Sequence, residues 1–305
     1  MNSKILIITI NYNQTQLTIE CVASVLKSTY SNFEVLLIDN GSQPDDYDKL
    51  VQVYGGHSKV RIFRIEINCG YVGGINYALK QGVTLQPDAF IIMNNDTIID
   101  AVSVGALESG LRKHGYHAII AGKVYEFDEP DRLQTIGSVF TDRRYLKEQF
   151  PGRYEIDKGQ YDTEMEMDMI DDILWIMPAK IIDEVGFYST DFFYGGEQAD
   201  FVLRAKKAGY RIIYSPESRI WHKGGVSYHD EKGFRKPEFY SLSTAGSIIF
   251  QYKHMMSFYF YINSMKMAFK FFFRMVISKS RTERVVNRHK MKGLFKGLRT
   301  AVNLK

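Results

Sequence analysis

Phe90-Ile91-Ile92-Met93-Asn94-Asn95-Asp96-Thr97 is an apolar run that ends abruptly in two amides, a carboxylate and a hydroxyl. Its length and composition suit a buried strand over Phe90 to Asn94, with Asp96 just beyond the strand end. Three earlier segments have the same form. Strands are predicted at Lys4 to Thr9, Glu34 to Asp39 and Val60 to Ile65, followed by the polar clusters Asn11-Tyr12-Asn13, Asp39-Asn40-Gly41-Ser42 and Asn68-Cys69-Gly70. Helices are predicted between them at about Gln14 to Ser28 and Gly74 to Gln81. Strands alternating with helices in this way specify an α/β fold, Rossmann-like, with a mostly parallel central sheet and flanking helices. In such sheets ligands bind outside the carboxyl ends of the strands, so the four polar clusters should meet in one crevice.

The remaining chain fits this frame. Its 305 residues, 45% hydrophobic and 24% charged, exclude a disordered or fibrous protein and suggest about two domains, or one large α/β domain with an appendage. Cys21 and Cys69 form neither a disulfide framework nor a metal-ligand cluster, and Met1-Asn2-Ser3-Lys4 leads into Ile5 without the marks of a signal peptide. A cytoplasmic setting is predicted. Residues 125–170, broken by Pro130, Gly137, Pro151, Gly152 and Gly159, read as loops and short strands; a structured block follows from Asp171 to Gly225, with a helix over Glu197 to Ala208 closed by Gly209.

Charge is unevenly spread. From Lys253 to Lys305 there are thirteen Lys/Arg against one acid, Glu283, a local +12 in a chain of net +4. Lys266, Lys270 and Arg274 recur every four residues, on one helix face, within a segment dense in Phe, Tyr, Met and Ile. These charges argue against a spanning helix, which needs about 20 largely uncharged residues. Three readings stand: a helix packed on the protein body, an amphipathic helix on an anionic membrane surface, and a basic segment holding nucleic acid. No base-reading motif accompanies the third, and nucleic acid is not counted as a partner. An aromatic tail also suits a homodimer interface. The expected division is residues 1–247 as the main domain and 248–305 as the basic tail.

Single residues carry the chemical expectations. Asp96 at a strand end is suited to a hard divalent cation, though Asn94-Asn95-Asp96-Thr97 is also an ordinary turn with Asp as a helix cap. Asp39 is placed to accept hydrogen bonds from a base or ribose, or to form a turn. Asn68-Cys69-Gly70-Tyr71-Val72-Gly73-Gly74-Ile75-Asn76 sets glycines before a helix N-terminus, an environment that favours anions, but its spacing is neither a dinucleotide fingerprint nor a P-loop.

Further on, Gly195-Gly196-Glu197-Gln198-Ala199-Asp200 runs into Phe201-Val202-Leu203-Arg204, and Trp221-His222-Lys223-Gly224-Gly225 closes the block. With these in place, residues 5–225 resemble glycosyltransferase family 2 enzymes of the GT-A fold. The resemblance rests on Ile10-Asn11-Tyr12-Asn13, Asp39-Asn40-Gly41-Ser42, the Asn68 to Asn76 segment, Asn94-Asn95-Asp96-Thr97, the Glu-x-x-Asp-x-x-x-Arg helix and His222, all in the family's order. It implies that Asp39, the Asn11 to Asn13 loop, Asn68, Gly70, Gly73, Gly74, Asn76, Asn94 and Asn95 surround the nucleotide. It further implies that Asp96 holds a divalent cation, Mn²⁺ or Mg²⁺, with His222 as a further metal ligand or as a structural histidine. The implied reaction is inverting sugar transfer from a nucleoside diphosphate to an acceptor hydroxyl, the metal stabilising the departing diphosphate and a carboxylate taking the proton.

Family members commonly carry Asp directly after the Glu, and here that position is Gln198, which accepts no proton. Glu197 is the favoured base, with Asp200 and Asp172, preceded by Asp171, as alternatives. The resemblance extends to bacterial rhamnosyltransferases that use dTDP-rhamnose, while UDP-hexose enzymes share most of the same residues. The resulting expectation is a peripheral enzyme on the inner face of the cell membrane, extending a lipid-linked surface glycan such as an O-antigen or capsule. A weakly active or non-catalytic relative, motivated by Gln198, is the alternative, and a nucleotidyltransferase is a third.

Overall fold

In the first strands of the chain almost every side chain is apolar, and Ile5, Leu6, Ile7 and Ile8 in succession are fully buried. Burial of consecutive residues requires cover on both faces of the strand, which is the environment of a central strand in a parallel sheet. The computed structural model describes residues 2–224 and 235–304. Its elements run β1 (Ile5–Asn11), α1 (Thr15–Val25), β2 (Phe33–Asn40), α2 (Pro44–Tyr54), β3 (Val60–Ile65), α3 (Gly70–Val83), β4 (Ala89–Met93), β5 (Thr97–Ile99) and α4 (Ser103–Lys113). They continue with β6 (Ala118–Glu126), the short β7 (Leu133–Thr135), β8 (Val139–Asp142), β9 (Lys147–Gln149) and β10 (Met165–Glu166), then β11 (Leu174–Pro178), α5 (Ile181–Val185), α6 (Glu197–Lys207) and β12 (Arg211–His222). Three helices follow, α7 (Pro237–His254), α8 (Ser257–Ile277) and α9 (Arg281–Val302).

The chain divides into two compact units. The first comprises Met1–Val139, Phe150–Tyr188 and Phe201–Gly224. Its sheet has the order β10-β12-β6-β11-β4-β1-β2-β3, with β5 on β12 and β7 on β6. β1 pairs in parallel with β2 and β4, and β2 with β3. β11 is antiparallel to both β4 and β6, and β12 is parallel to β6, so β6 and β12 point the same way as the first four strands. The α/β architecture expected from the sequence is therefore the one observed. The strand order reverses at β1 and β4, the position where open α/β sheets form a ligand crevice.

Two differences from the sequence reading have local causes. The third helix begins at Gly70 rather than Gly74 because the Asn68 side chain accepts the Gly70 N–H at 2.8 Å and Asn40 accepts the Cys69 N–H at 3.1 Å, occupying donors at the helix start. Gly74 then lies inside the helix for a packing reason: a Cβ there would come within 2.8 Å of Ile10 Cδ1. Helix α2 was not foreseen, although Pro44 at its first turn and Asp45 and Asp46 beside it are a start signal.

The second unit comprises Phe140–Gln149, Ser189–Asp200 and Gly225–Lys305. Gly225 of the Gly-Gly pair after Lys223 lies outside the described residues. Ile248, Met255, Phe260 and Leu294 form this unit's small core, with Tyr145, Tyr252 and Met291 packed around it. The first of its three helices starts at Pro237 and runs through Ile248, where the tail was expected to begin. Ser280 caps α9 by accepting the Glu283 N–H. Gly246 allows α7 to sit directly on the Gly195-Gly196 turn, since a Cβ there would lie 1.7 Å from the Gly195 carbonyl oxygen. Gly246→Ala should therefore lower stability by about 1–3 kcal/mol, the usual cost of overpacking, read as an earlier unfolding midpoint in urea.

Candidate active site

The carboxyl ends of β1 and β2 are joined by a polar network. Asn11, fully buried, donates through Nδ2 to Asp39 Oδ2 at 2.9 Å and to Ser42 Oγ at 3.0 Å, and its Oδ1 accepts from the Thr18 hydroxyl at 2.8 Å. Asp39 Oδ1 accepts the Ser42 N–H at 3.2 Å. The partners named here for the buried Asp39 carboxylate are neutral donors, and each oxygen retains accepting capacity. Asn13 adopts a left-handed backbone, φ 53°, donates its N–H to Ser42 Oγ and accepts the Gln43 N–H. The Tyr12 ring beside it is exposed.

The neighbouring amides tie this network to α3. Asn40 donates to Asn68 Oδ1 and to the Gly70 carbonyl. Gly73 and Gly74 are interior to α3, and Asn76 uses both ends of its amide on the backbone of Tyr188. Asn95 donates to the Thr18 hydroxyl at 2.8 Å, and the Asn94 carbonyl accepts from Thr97. Asn40, Asn94 and Asn95 thus lie at the carboxyl ends of β2 and β4, and Gly73, Gly74 and Asn76 within α3.

Asp96 and His222 meet because β5 and β12 form an antiparallel ladder in which His222 faces Thr97, extended by the Lys223 N–H donating to the Asp96 carbonyl at 2.8 Å. Both side chains are buried, and His222 Nε2 lies 3.1 Å from Asp96 Oδ1. His222 Nδ1 faces Gln134 Oε1 at 2.8 Å. With the amide oxygen there, the proton is assigned to Nδ1 and Nε2 presents a lone pair. Among the described residues Nε2 makes no hydrogen bond of good geometry despite its burial, and the Asp96 carboxylate oxygen is the neighbour named for it. An imidazole lone pair and a carboxylate oxygen side by side are a donor set for a divalent cation, and the unpartnered nitrogen is what such an ion would satisfy. No group of three or more His, Cys, Asp or Glu with metal-binding geometry occurs among the described residues. Two protein ligands fit an ion that completes its shell with phosphate oxygens and water. Gln134 was not singled out in the sequence; its role comes from the β6–β7 pairing, which no local motif encodes.

Asp172, also buried, receives the Tyr71 hydroxyl at 2.7 Å and the Tyr188 hydroxyl at 3.2 Å, both on Oδ2. Tyr71 belongs to the first turn of α3, so Asp172 anchors that turn.

The other carboxylates belong to the second unit. Gly195 and Gly196, with φ 79° and 94°, lead into Glu197 at the first turn of α6. Glu197 is buried, its Oε2 has no hydrogen-bond partner among the described residues, and burial pushes its carboxyl above the ordinary carboxylate range, opposed by backbone N–H groups at Glu197 and Gly195. Gln198 is half-buried. Asp200 is fully buried and paired, with His254 Nε2 at 2.8 Å and Lys253 Nζ at 3.7 Å; Lys253 also bridges to Asp191 at 2.6 Å. Lys253 and His254, in the last turn of α7, were not foreseen as partners of this helix start.

Residues 6–166, just over half of the chain, match the family model for glycosyl transferase family 2. The chain belongs to glycosyl transferase family 2. The match ends before Glu197 and His222. Among relatives, "Glycosyltransferase GlyG" of Streptococcus pneumoniae serotype 4 (strain ATCC BAA-334 / TIGR4) is 27% identical over 121 residues, 39% of this chain and 38% of that protein. The chain thus spans well under two thirds of that relative. Among solved structures, GalNAc-T7 with UDP, GalNAc and Mn²⁺ superposes with a TM-score of 0.63 at 12% identity, covering 94% of this chain and 54% of that one. The mannosyltransferase PcManGT from Pyrobaculum calidifontis, in complex with GDP-Man and Mn²⁺, gives 0.53 at 12% identity, covering 99% and 74%. The likeness to these two is one of fold, GT-A, as the motif series implied.

Glu197 supplies a pH test. Its folded-state pKa is raised, so the charged form is destabilised by burial, and stability falls as pH rises through the folded pKa. Glu197→Gln removes that penalty: its melting temperature should exceed wild type by a few degrees at pH 8, with the gap closing below about pH 4, where the unfolded-state carboxyl is also protonated. Thermal unfolding across pH measures it.

Proposed function

We propose that the protein transfers a sugar, with inversion, from a nucleoside-diphosphate sugar to a hydroxyl of a lipid-linked glycan acceptor. Family membership and the buried Asp96–His222 pair with its unpartnered Nε2 support this reading, the latter carrying most weight. In this reading Asp96 and His222 hold a divalent cation, Mn²⁺ or Mg²⁺, which neutralises charge on the departing diphosphate. The mixed oxygen and nitrogen donors favour Mn²⁺. Asp39, Asn11 and Asn13 orient base and ribose, with the exposed Tyr12 ring at the rim. Asn68, Gly70, Gly73, Gly74, Asn76, Asn94 and Asn95 shape the crevice.

Glu197 is the proposed base. It takes the proton of the acceptor hydroxyl as that oxygen attacks the anomeric carbon, while the bond from that carbon to the diphosphate oxygen breaks on the opposite side. Its raised proton affinity suits this task, whereas Asp200 is committed to His254 and Asp172 to two tyrosines. The donor is proposed as a dTDP- or UDP-sugar, rhamnose among the candidates, and the setting as bacterial O-antigen or capsule synthesis. Residues 1–247 are then the transferase domain, working peripherally at the inner face of the cell membrane, with 248–305 as its tail.

A second reading, a weakly active or non-catalytic relative that binds nucleotide sugar or an assembly partner, is favoured by Gln198 alone. Calorimetry with UDP-, dTDP- and GDP-sugars, with and without Mn²⁺, tests the site. One donor class should bind in a metal-dependent way, and Asp96→Ala should weaken that binding at least tenfold; absence of binding by every donor would overturn the reading. Turnover separates the two readings. Glu197→Gln should lower it by 10²- to 10⁴-fold, the usual contribution of a positioned base, with Gln198→Asp giving little gain. A large gain from Gln198→Asp would instead identify a degenerate site.

A further inference from the structure

We propose that the outer face of α8 lies in the interface of an anionic lipid bilayer, with the helix axis along the membrane plane. This deepens the transferase reading by naming the surface that meets the membrane carrying the acceptor, and it rests on that reading for the acceptor alone.

Helix α8 has two unlike sides. Phe260, Ser264 and Phe271 are buried, Phe260 in the small core formed with Ile248, Met255 and Leu294. On the other side Phe258, Tyr261, Met265, Phe269, Phe272 and Val276 are each between 52% and 70% exposed. At about 100° per residue these six fall within a sector of roughly 80°, and Phe273 and Ile277, also exposed, widen it on one edge. Single exposed apolar residues are ordinary; a continuous row of large ones along a helix of 21 residues, about 31 Å, marks an interaction surface.

Charge selects the occupant. Lys266, Lys270 and Arg274, all exposed, follow one flank of the row, and α8 contains no acidic residue. Their aliphatic stems extend the apolar surface while their heads reach phosphate depth, the behaviour of interfacial helices. A second copy of the chain docked face to face would set these three cations against their equivalents with no carboxylate on α8 to pair them, whereas anionic headgroups complement them. The tail's +12 acts in the same direction. None of the described helices is long and apolar enough to cross a membrane, so the row is met by lying on the bilayer.

The test is co-sedimentation of the full chain with vesicles of phosphatidylcholine alone or with 30% phosphatidylglycerol, a composition of about one anionic lipid in three. Wild type should partition onto the anionic vesicles at least tenfold more than onto neutral ones, and less at high salt. Phe269→Ser with Phe272→Ser, and separately Lys266→Gln with Lys270→Gln and Arg274→Gln, should each cut anionic binding about tenfold with helical circular dichroism unchanged. These positions are solvent-exposed, so the fold is not at stake. Unchanged sedimentation of both variants overturns the proposal, as does a dimer in light scattering that both variants dissociate in a protein that ignores vesicles. Donor binding measured on the same samples separates the two readings: wild type that binds a donor but no anionic vesicles overturns this inference alone, and wild type that binds anionic vesicles but no donor overturns the transferase reading alone.

Discussion

The antiparallel ladder between β5 and β12 fixes the geometry on which the proposed chemistry depends. β4 delivers Asn94, Asn95 and Asp96 to the carboxyl edge of the sheet, and the chain immediately turns into β5, three residues that pair with the end of β12. Register alone then places His222 opposite Thr97 and beside Asp96, and the bond from Lys223 N–H to the Asp96 carbonyl closes the arrangement. Because β6 lies parallel to β12 and carries β7, the same register brings Gln134 against His222 Nδ1. A buried imidazole without a hydrogen bond on one nitrogen is costly unless something binds there. The ladder enforces that arrangement, and the metal-ion reading proposed for the pair would relieve its cost.

What was legible in the sequence follows from burial. The first four strands were placed to within a residue or two because β1, β2 and β4 are long apolar runs and β3, at the sheet edge, intersperses apolar residues with Arg61 and Arg64. β6, β11 and β12 were not separately drawn. Their pairing order, with β11 reversed between β4 and β6, depends on long-range ladders that no local pattern specifies. Polar residues at strand ends signalled Asn11, Asp39 and Asp96. Their division of labour was hidden, since Asn76 bonds the Tyr188 backbone and Asn40 bonds the start of α3. Lys253, His254 and Gln134 carried no signal, because each acts through a partner far away in sequence.

The first turn of α6 shows why Gln198 need not mean a dead site. Glu197 and Asp200 already put two buried carboxylates within four residues, and Asp200 has Lys253 at 3.7 Å and the His254 ring at 2.8 Å. The helix N-terminus favours negative charge there, but modestly. An Asp at 198 would add a third carboxylate next to Glu197 and raise further the proton affinity that burial has already raised. A neutral side chain at 198 adds no such repulsion. The substitution that first suggests a lost base is, in this electrostatic setting, compatible with the base having moved by one position.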